Sequence, residues 1–203
     1  ANNSGLLCDA KGFFQESLQD ALQERRVKTR PVVKSYLVEL LEYYLFTDRL
    51  FDESNSSGKK SRDTLAEMLL KANTGVPPRV RFEMLKKLGD SALYISGFFG
   101  DSLQRKVVDV DYYIEMGSTA YISLSQSVEE DTFSQMYKEI AQRFPEFVDV
   151  FTVMSRKTMP GDGEDILRLM EVFSKTGSNL AQDSLTEKGI FTSSDQLKKC
   201  KNQ

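Results

Sequence analysis

The sequence predicts an all-α fold, a single-domain multi-helix bundle of about eight or nine helices. Apolar residues recur at helical spacing along most of the chain, and no alternating apolar and polar run with hairpin turn residues occurs. The 203 residues are few for two well-cored domains, and 40% hydrophobic with 28% charged residues is close to the globular average. We therefore expect one helical domain over 9–191, between a disordered 1–8 and a flexible tail over 192–203.

The first three predicted helices span about 9–27, 31–52 and 63–72. Pro31 suits the first turn of the second helix, because the first N–H groups of a helix have no intrahelical partner. The connection between the second and third helices is rich in Ser, Asn, Gly and Lys, which is typical of a flexible loop.

The second predicted helix carries an unusually wide apolar stripe, interrupted by polar residues such as Glu39 and Glu42. A stripe of this width indicates a central bundle helix or a helix that also serves a subunit interface. The candidate interface residues on it are Tyr36, Leu40, Tyr43 and Phe46.

The fourth and fifth predicted helices carry long three-four apolar repeats. Pro78 leads into the fourth helix, and the pair Gly100 and Asp101 is expected to end it. The fifth helix runs from about Leu103 to Leu124 with an unbroken apolar stripe. We expect this fifth helix in the middle of the core.

The remaining helices are delimited by capping residues, prolines and glycines. Ser127 and Glu130 have the spacing of a capping box and predict the start of a sixth helix, which Pro145 ends or restarts. A seventh helix to about Lys157, an eighth over 164–175 and a short last helix ending near Gly189 follow.

The chain contains no histidine, and this absence limits the chemistry that its own residues can perform. Histidine is the usual base near neutral pH and the commonest metal ligand, so Ser-His-Asp and Cys-His nucleophilic sites and imidazole metal sites are excluded. Cys8 and Cys200 lie near opposite ends of the chain and form no closely spaced pair for a metal or a redox couple. No cofactor is predicted.

Asp111 and Glu115 on the fifth predicted helix are one turn apart and therefore share a helix face. Two such carboxylates can hold Mg²⁺ or Mn²⁺, which prefer oxygen ligands. The other interpretation is that both carboxylates are solvated while Arg105 pairs with Asp109 across one turn. The sequence favours solvation and leaves the metal site as an alternative.

Small residues among aromatic residues form a second candidate region. A glycine within a helix costs about 1 kcal/mol relative to alanine, so its presence calls for a close neighbour. Either the fifth helix packs closely here at Gly117, or a small apolar or aromatic ligand binds between the two helices. The residues concerned are Gly89, Tyr94, Gly97, Tyr112 and Tyr113.

The charge of the chain argues against some partners. A formal net charge of −3 provides no broad basic field, so we expect no nucleic-acid partner. Two basic clusters, within 25–30 and 79–87, lack interleaved aromatic residues and are interpreted as solvated helix faces. No run of about 18 apolar residues occurs, and no leader pattern precedes Phe14. We therefore expect no membrane partner and a cytoplasmic location.

Four segments carry a resemblance to known sequences: 36–41 (YLVELL), 88–99 (LGDSALYISGFF), 108–114 (VDVDYYI) and 176–178 (TGS). Together they resemble a family of uncharacterised bacterial all-helical proteins. The resemblance spans most of the chain and implies a bacterial cytoplasmic setting, but it implies no activity and no site residue.

The sequence leads to one functional hypothesis and two alternatives. The first is a non-enzymatic helical protein-interaction module that binds a second copy of itself or another protein, because of the wide stripe on the second helix. The alternatives are a protein that binds a small apolar or aromatic ligand, and a Mg²⁺- or Mn²⁺-dependent enzyme that uses the helix carboxylates.

Overall fold

The computed structural model describes residues 3–44, 65–103, 110–158, 166, 169–170 and 179–187. Within these ranges the chain forms eight helices with described bounds and no strand, which confirms the predicted all-α bundle. None of the described helices is long and apolar enough to cross a membrane. The helices are α1 Asn3–Glu24, α2 Pro31–Tyr44, α3 Leu65–Ala72, α4 Pro78–Leu103, α5 Val110–Ser127, α6 Asp131–Gln142, α7 Phe144–Thr158 and α8 Asn179–Glu187.

α4 lies at the centre of the bundle and packs against α2, α3, α5 and α7. Between Leu88 and Phe99, every residue of α4 except the half-buried Ile95 is buried. The prediction that the fifth helix occupies this position is wrong, because α5 keeps an exposed polar face that includes Asp111 and Glu115. Small residues along α4 allow neighbouring helices to approach it from more than one side.

α4 bends at Phe99, whose φ of −125° and ψ of 16° are not helical, and then continues to Leu103. The sequence analysis placed the end of this helix at Gly100 and Asp101, the two residues after the bend. Two hydroxyl groups of α7 donate hydrogen bonds to carbonyl oxygens just before the bend. Thr152 Oγ1 lies 3.0 Å from the oxygen of Gly97, and Ser155 Oγ lies 2.9 Å from the oxygen of Phe98. These bonds join α7 to this part of α4.

Several predicted bounds lie outside the described residues. These are the continuation of the second helix over 45–52, the start of the third at 63–64 and the segment 104–109. The predicted helix over 164–175 is described only at 166 and 169–170, where the residues are helical. The first helix begins at Asn3 rather than near Asp9, and the last spans Asn179–Glu187.

The predicted capping box at Ser127 and Glu130 is wrong. α5 continues through Ser127, and α6 begins after Glu130, which makes no side-chain capping hydrogen bond. The Ser127 hydroxyl instead donates to the oxygen of Ser123 and accepts a bond from Arg81 Nη1, both at 2.7 Å. Ser127 therefore connects α5 to the first turn of α4.

The loop from α1 to α2 holds part of the basic cluster that the sequence assigned to a helix face. This assignment is wrong, because Arg25 and Arg26 form a turn and 27–30 has no regular secondary structure. Arg25 Nη2 lies 2.6 Å from Asp149 Oδ2 on α7, and Arg30 Nε lies 2.7 Å from Glu139 Oε2 on α6. The loop is therefore fastened to two helices that follow much later in the chain.

Arg26 adopts a left-handed backbone, with φ of 55°, where α1 ends. The backbone N–H groups of Arg26 and Val27 donate to the oxygens of Gln23 and Leu22, at 3.1 and 2.9 Å. These two bonds form a Schellman motif, in which the left-handed position is usually glycine. A side chain at this position costs roughly 1–2 kcal/mol.

Replacing Arg26 with glycine is expected to raise the free energy of unfolding by about 0.5–1 kcal/mol, after the greater flexibility of glycine in the unfolded chain is subtracted. Urea unfolding followed by circular dichroism measures this change. Arg26→Ala is the matched control, because alanine removes the guanidinium but keeps the backbone cost. Equal effects of the two substitutions would contradict backbone strain as the cause.

Candidate functional site

Asp90, on the buried stretch of α4, is the one charged residue that is buried among the described residues, with 5% of its surface exposed. Its Oδ1 accepts hydrogen bonds from the hydroxyls of Tyr121, at 2.7 Å, and of Tyr36. Its Oδ2 lies 2.5 Å from the Nζ of Lys86, one turn earlier on α4. Burying a carboxylate is costly unless it is paired and hydrogen-bonded, and both oxygens are paired here.

Aromatic rings from three further helices surround this carboxylate. Tyr36 of α2 packs edge-on against Tyr121 of α5 and Tyr137 of α6, with centroid distances of 6.3 and 5.5 Å. The rings of Tyr121 and Tyr137 are stacked, 5.9 Å apart at 20°. Lys86 Nζ lies 4.9 Å from the centroid of the Tyr36 ring, within cation–π range. We call Lys86, Asp90, Tyr36, Tyr121 and Tyr137 the Asp90 cluster.

The tyrosines of the Asp90 cluster are strongly biased toward their neutral form. Burial, and then the negative charge of Asp90, raise the pKa of Tyr36 and of Tyr121 well above the ordinary value of 10.0. The same two causes raise the pKa of Tyr137 to about 12. The phenols therefore keep their protons at neutral pH, which lets Tyr36 and Tyr121 donate to the carboxylate.

Gly89 provides the room that this arrangement needs. A Cβ atom at Gly89 would lie 2.9 Å from Cε1 of Tyr121, closer than side chains normally approach. The Tyr121 ring lies across this glycine, and its hydroxyl reaches the carboxylate of the next residue. Gly89 is thus a position of close helix packing beside the Asp90 cluster.

Gly97 of α4 and Gly117 of α5 also meet neighbouring helices directly. A Cβ at Gly97 would lie 2.3 Å from the Cβ of Phe151 on α7. A Cβ at Gly117 would lie 2.4 Å from Cζ of Phe144 and 2.9 Å from the Cβ of Ala92. The geometry therefore supports close packing at these positions, against α7 at Gly97 and against both α7 and α4 at Gly117.

The three tyrosines proposed to line a ligand cavity lie in two places. Tyr94 is buried and stacked between Tyr44 and Phe98, with centroid distances of 5.0 and 4.8 Å. Tyr112 is half-buried on α5, and its hydroxyl accepts a 3.1 Å hydrogen bond from the backbone N–H of Ala66. The Tyr113 ring packs edge-on against Tyr112. Each of the three tyrosines therefore contacts other residues of the chain at its position.

Asp111 and Glu115 are both exposed on α5. Within the part of the chain that the structure describes, no group of three or more Cys, Asp or Glu side chains is placed to hold a metal ion. The metal site at these two carboxylates stays a prediction.

The candidate interface residues of α2 differ in their surroundings. Tyr36 and Leu40 are buried within the chain, and this burial accounts for much of the wide apolar stripe. Tyr43 is 45% exposed, and its ring packs edge-on against the buried Tyr44 at 5.0 Å. Phe46 lies outside the described residues.

A shallow polar groove of about 550 Å³ lies along α6. Arg30 bonds both Glu139 and Gln135 there, at 2.7 and 3.1 Å, and Gln135 donates to Asp131 at 2.6 Å. Burial alone would raise the pKa of Glu139, but hydrogen bonds from Thr29 and Arg30, with the charges of Arg30 and Arg143, lower it overall. The groups in this groove mainly bind one another. Its lining residues are Arg30, Asp131, Ser134, Gln135, Lys138, Glu139 and Gln142.

Sequence reasoning did not identify the Asp90 cluster. One signal was present, because Asp90 is the only charged residue between Lys87 and Asp101 in an otherwise apolar segment. Lys86 precedes it by one helical turn, which is the spacing of an intrahelical ion pair. The tyrosine partners come from distant parts of the sequence, so no local pattern indicates them.

No protein-family model, curated protein or solved structure matches this chain. The resemblance to uncharacterised bacterial proteins therefore stays a prediction.

Alanine substitutions at two glycines distinguish close packing from open space. Gly97→Ala is expected to lower the free energy of unfolding by about 1–3 kcal/mol, because the new Cβ forces α4 and α7 apart. Gly12→Ala is the matched control, since no atom lies within 4 Å of its Cβ position on α1. It should stabilise the chain by up to about 1 kcal/mol. A neutral Gly97→Ala would contradict the close packing.

The pKa of Tyr137 predicts a loss of stability at high pH. Folding raises this pKa from 10.0 to about 12, so the folded chain retains a proton that the unfolded chain releases. The contribution is complete below about pH 10 and is lost as the pH rises toward 12. Urea unfolding at stepped pH measures it, and Tyr137→Phe should show a shallower decline. Identical declines in the two proteins would exclude Tyr137 as a source.

Proposed function

We propose that the chain is a non-enzymatic helical protein-interaction domain, and that it binds a second copy of itself through the end of the α1–α2 hairpin. The observation that carries this proposal is the pair of exposed aromatic rings at that end, Phe13 and Tyr43, which are 49% and 45% exposed. Aromatic side chains are enriched in protein interfaces, where they contribute large contact areas.

The register of the hairpin places these two rings about one helical turn apart along its axis. Lys34 Nζ on α2 lies 2.9 Å from Gln19 Oε1 on α1 and sets the pairing of the two antiparallel helices. Tyr43 lies nine residues after Lys34, and Ala10 lies nine residues before Gln19. Because each residue of a helix advances by about 1.5 Å, Tyr43 lies opposite Ala10, one turn before Phe13. Both rings therefore lie beyond the bond between Lys34 and Gln19, on the side away from the α1–α2 loop, and we call them the hairpin patch.

Two groups of opposite charge near the hairpin patch can pair across a two-fold axis. Lys11 and Glu39 are exposed near the same level of the hairpin and carry opposite charges. In a two-fold symmetric pair the same surface meets itself, so Lys11 of each copy can face Glu39 of the other. Two such ion pairs can form in a symmetric pair.

Each aromatic ring of the patch also packs against the next residue along its helix. The Phe13 ring lies 5.6 Å from the half-buried Phe14, and the Tyr43 ring lies 5.0 Å from the buried Tyr44. These contacts restrict the two exposed rings before any partner arrives, which lowers the entropy lost on association. We also propose a cytoplasmic location, for which the sequence is the only support.

Sedimentation velocity over a range of protein concentrations tests self-association through the hairpin patch. The wild-type chain should show a mass that rises with concentration toward that of a dimer. The double substitution Phe13→Ser and Tyr43→Ser should remain monomeric, because it removes both exposed rings. Phe133→Ser, at a similarly exposed phenylalanine on α6, is the matched control and should associate like the wild type.

Two outcomes would contradict the proposal. A wild-type chain that stays monomeric at every soluble concentration would exclude self-association. A Phe133→Ser variant that loses association as fully as the double variant would exclude the hairpin patch as the specific surface.

A further inference from the structure

The ammonium of Lys86 lies between two groups that suit a cation, the carboxylate of Asp90 and the ring of Tyr36. Its Nζ lies 2.5 Å from Asp90 Oδ2 and 4.9 Å from the centroid of the Tyr36 ring. A carboxylate supplies charge and hydrogen-bond acceptors, while an aromatic face attracts a cation through its quadrupole. Together these groups can recognise any ammonium of similar size that reaches the same place.

The carboxylate is buried, but the lysine that binds it comes from the surface. The Lys86 side chain is 39% exposed, whereas the Asp90 side chain is 7% exposed. The Lys86 side chain is therefore partly open to solvent while its Nζ contacts the buried carboxylate. The lysine stem has several rotatable bonds, so its ammonium can leave Asp90 without a movement of the helix.

The rest of the site does not depend on Lys86 for its geometry. Both phenol hydroxyls bind Oδ1, the other oxygen of Asp90, and so hold the carboxylate in place. The ring contacts between Tyr36, Tyr121 and Tyr137 fix the aromatic wall from three separate helices. Without Lys86, Asp90 Oδ2 and the Tyr36 ring border the position that the ammonium occupies in this structure.

We propose that Asp90 and Tyr36 form a binding site for a primary ammonium group, and that Lys86 is its exchangeable internal occupant. The ligand is either a small free amine or the lysine side chain of another protein, because both present the same group. The proposal is independent of self-association, since it involves neither Phe13 nor Tyr43.

An external amine must compete with Lys86 for Asp90, and this competition lowers its apparent affinity for the site. A group tethered to the same helix is present at high effective concentration, so it weakens the apparent binding of any free competitor. Removal of the lysine removes this competition, and we expect at least about tenfold tighter binding.

The first experiment compares methylammonium binding by isothermal titration at constant ionic strength. Lys86→Ala should bind methylammonium at least about tenfold more tightly than the wild type. Lys87→Ala, on the next residue of the same helix, is the matched control and should bind like the wild type. The combination of Lys86→Ala with Asp90→Asn should lose the gain, because it removes the charge and keeps the shape. A Lys86→Ala variant that folds but binds no better than this combination would overturn the proposal.

A second measurement uses the wild-type chain and does not depend on the folding of a variant. Nuclear magnetic resonance of lysine side-chain ammonium groups should show the Lys86 signal moving toward that of an exposed lysine as methylammonium is added. A Lys86 signal that stays unchanged to saturating methylammonium would overturn the exchange.

The two possible ligand sources are separated by repeating both measurements with N-acetyl-lysine methylamide. Tighter binding of this compound than of methylammonium supports a lysine side chain from a protein, and the reverse order supports a small amine. Failure of both compounds to bind Lys86→Ala would overturn the site.

Discussion

The buried carboxylate of Asp90 constrains how the central helices of this bundle are arranged. A charge inside a helical core must be matched where it lies, because the attraction of distant groups does not replace lost hydration. The matching groups are Lys86 on the same helix, Tyr36 on α2 and Tyr121 on α5. Each phenol must therefore face α4 at one height, which specifies the rotation and the axial position of α2 and α5.

Glycine and aromatic residues act together to satisfy this constraint. Gly89 lets the Tyr121 ring lie against α4 next to the carboxylate, and the absence of a side chain at Gly117 admits the Phe144 ring. Large rings then fill the space that the missing side chains leave. Because a helix rarely tolerates several internal glycines without such contacts, the small residues of α4 and its central position have one common explanation.

The outer part of the fold is held by a different kind of interaction. Arg25, Arg30 and Arg143 connect the α1–α2 loop to α6 and α7 through partly exposed ion pairs and a bond from Arg143 Nη1 to the oxygen of Lys28. Exposed ion pairs contribute little stability individually, so they orient the hairpin more than they stabilise it. The hairpin then presents Phe13 and Tyr43 outward, while Lys86 provides a surface connection to the buried carboxylate.

Local patterns were sufficient for the all-α class and most helix positions, because helical periodicity depends on residues near one another in sequence. The same patterns did not show that α4 rather than α5 is central, or that Ser127 bonds Arg81 instead of capping α6. The Asp90 cluster joins residues from 36 to 137, and the register of four packed helices decides which of them meet. The sequence by itself determined a helical bundle without histidine chemistry, whereas only the tertiary structure decided where its buried charge, its closed interior and its exposed rings lie. The physical reason is that periodicity describes one helix at a time, while burial and pairing are properties of several helices together.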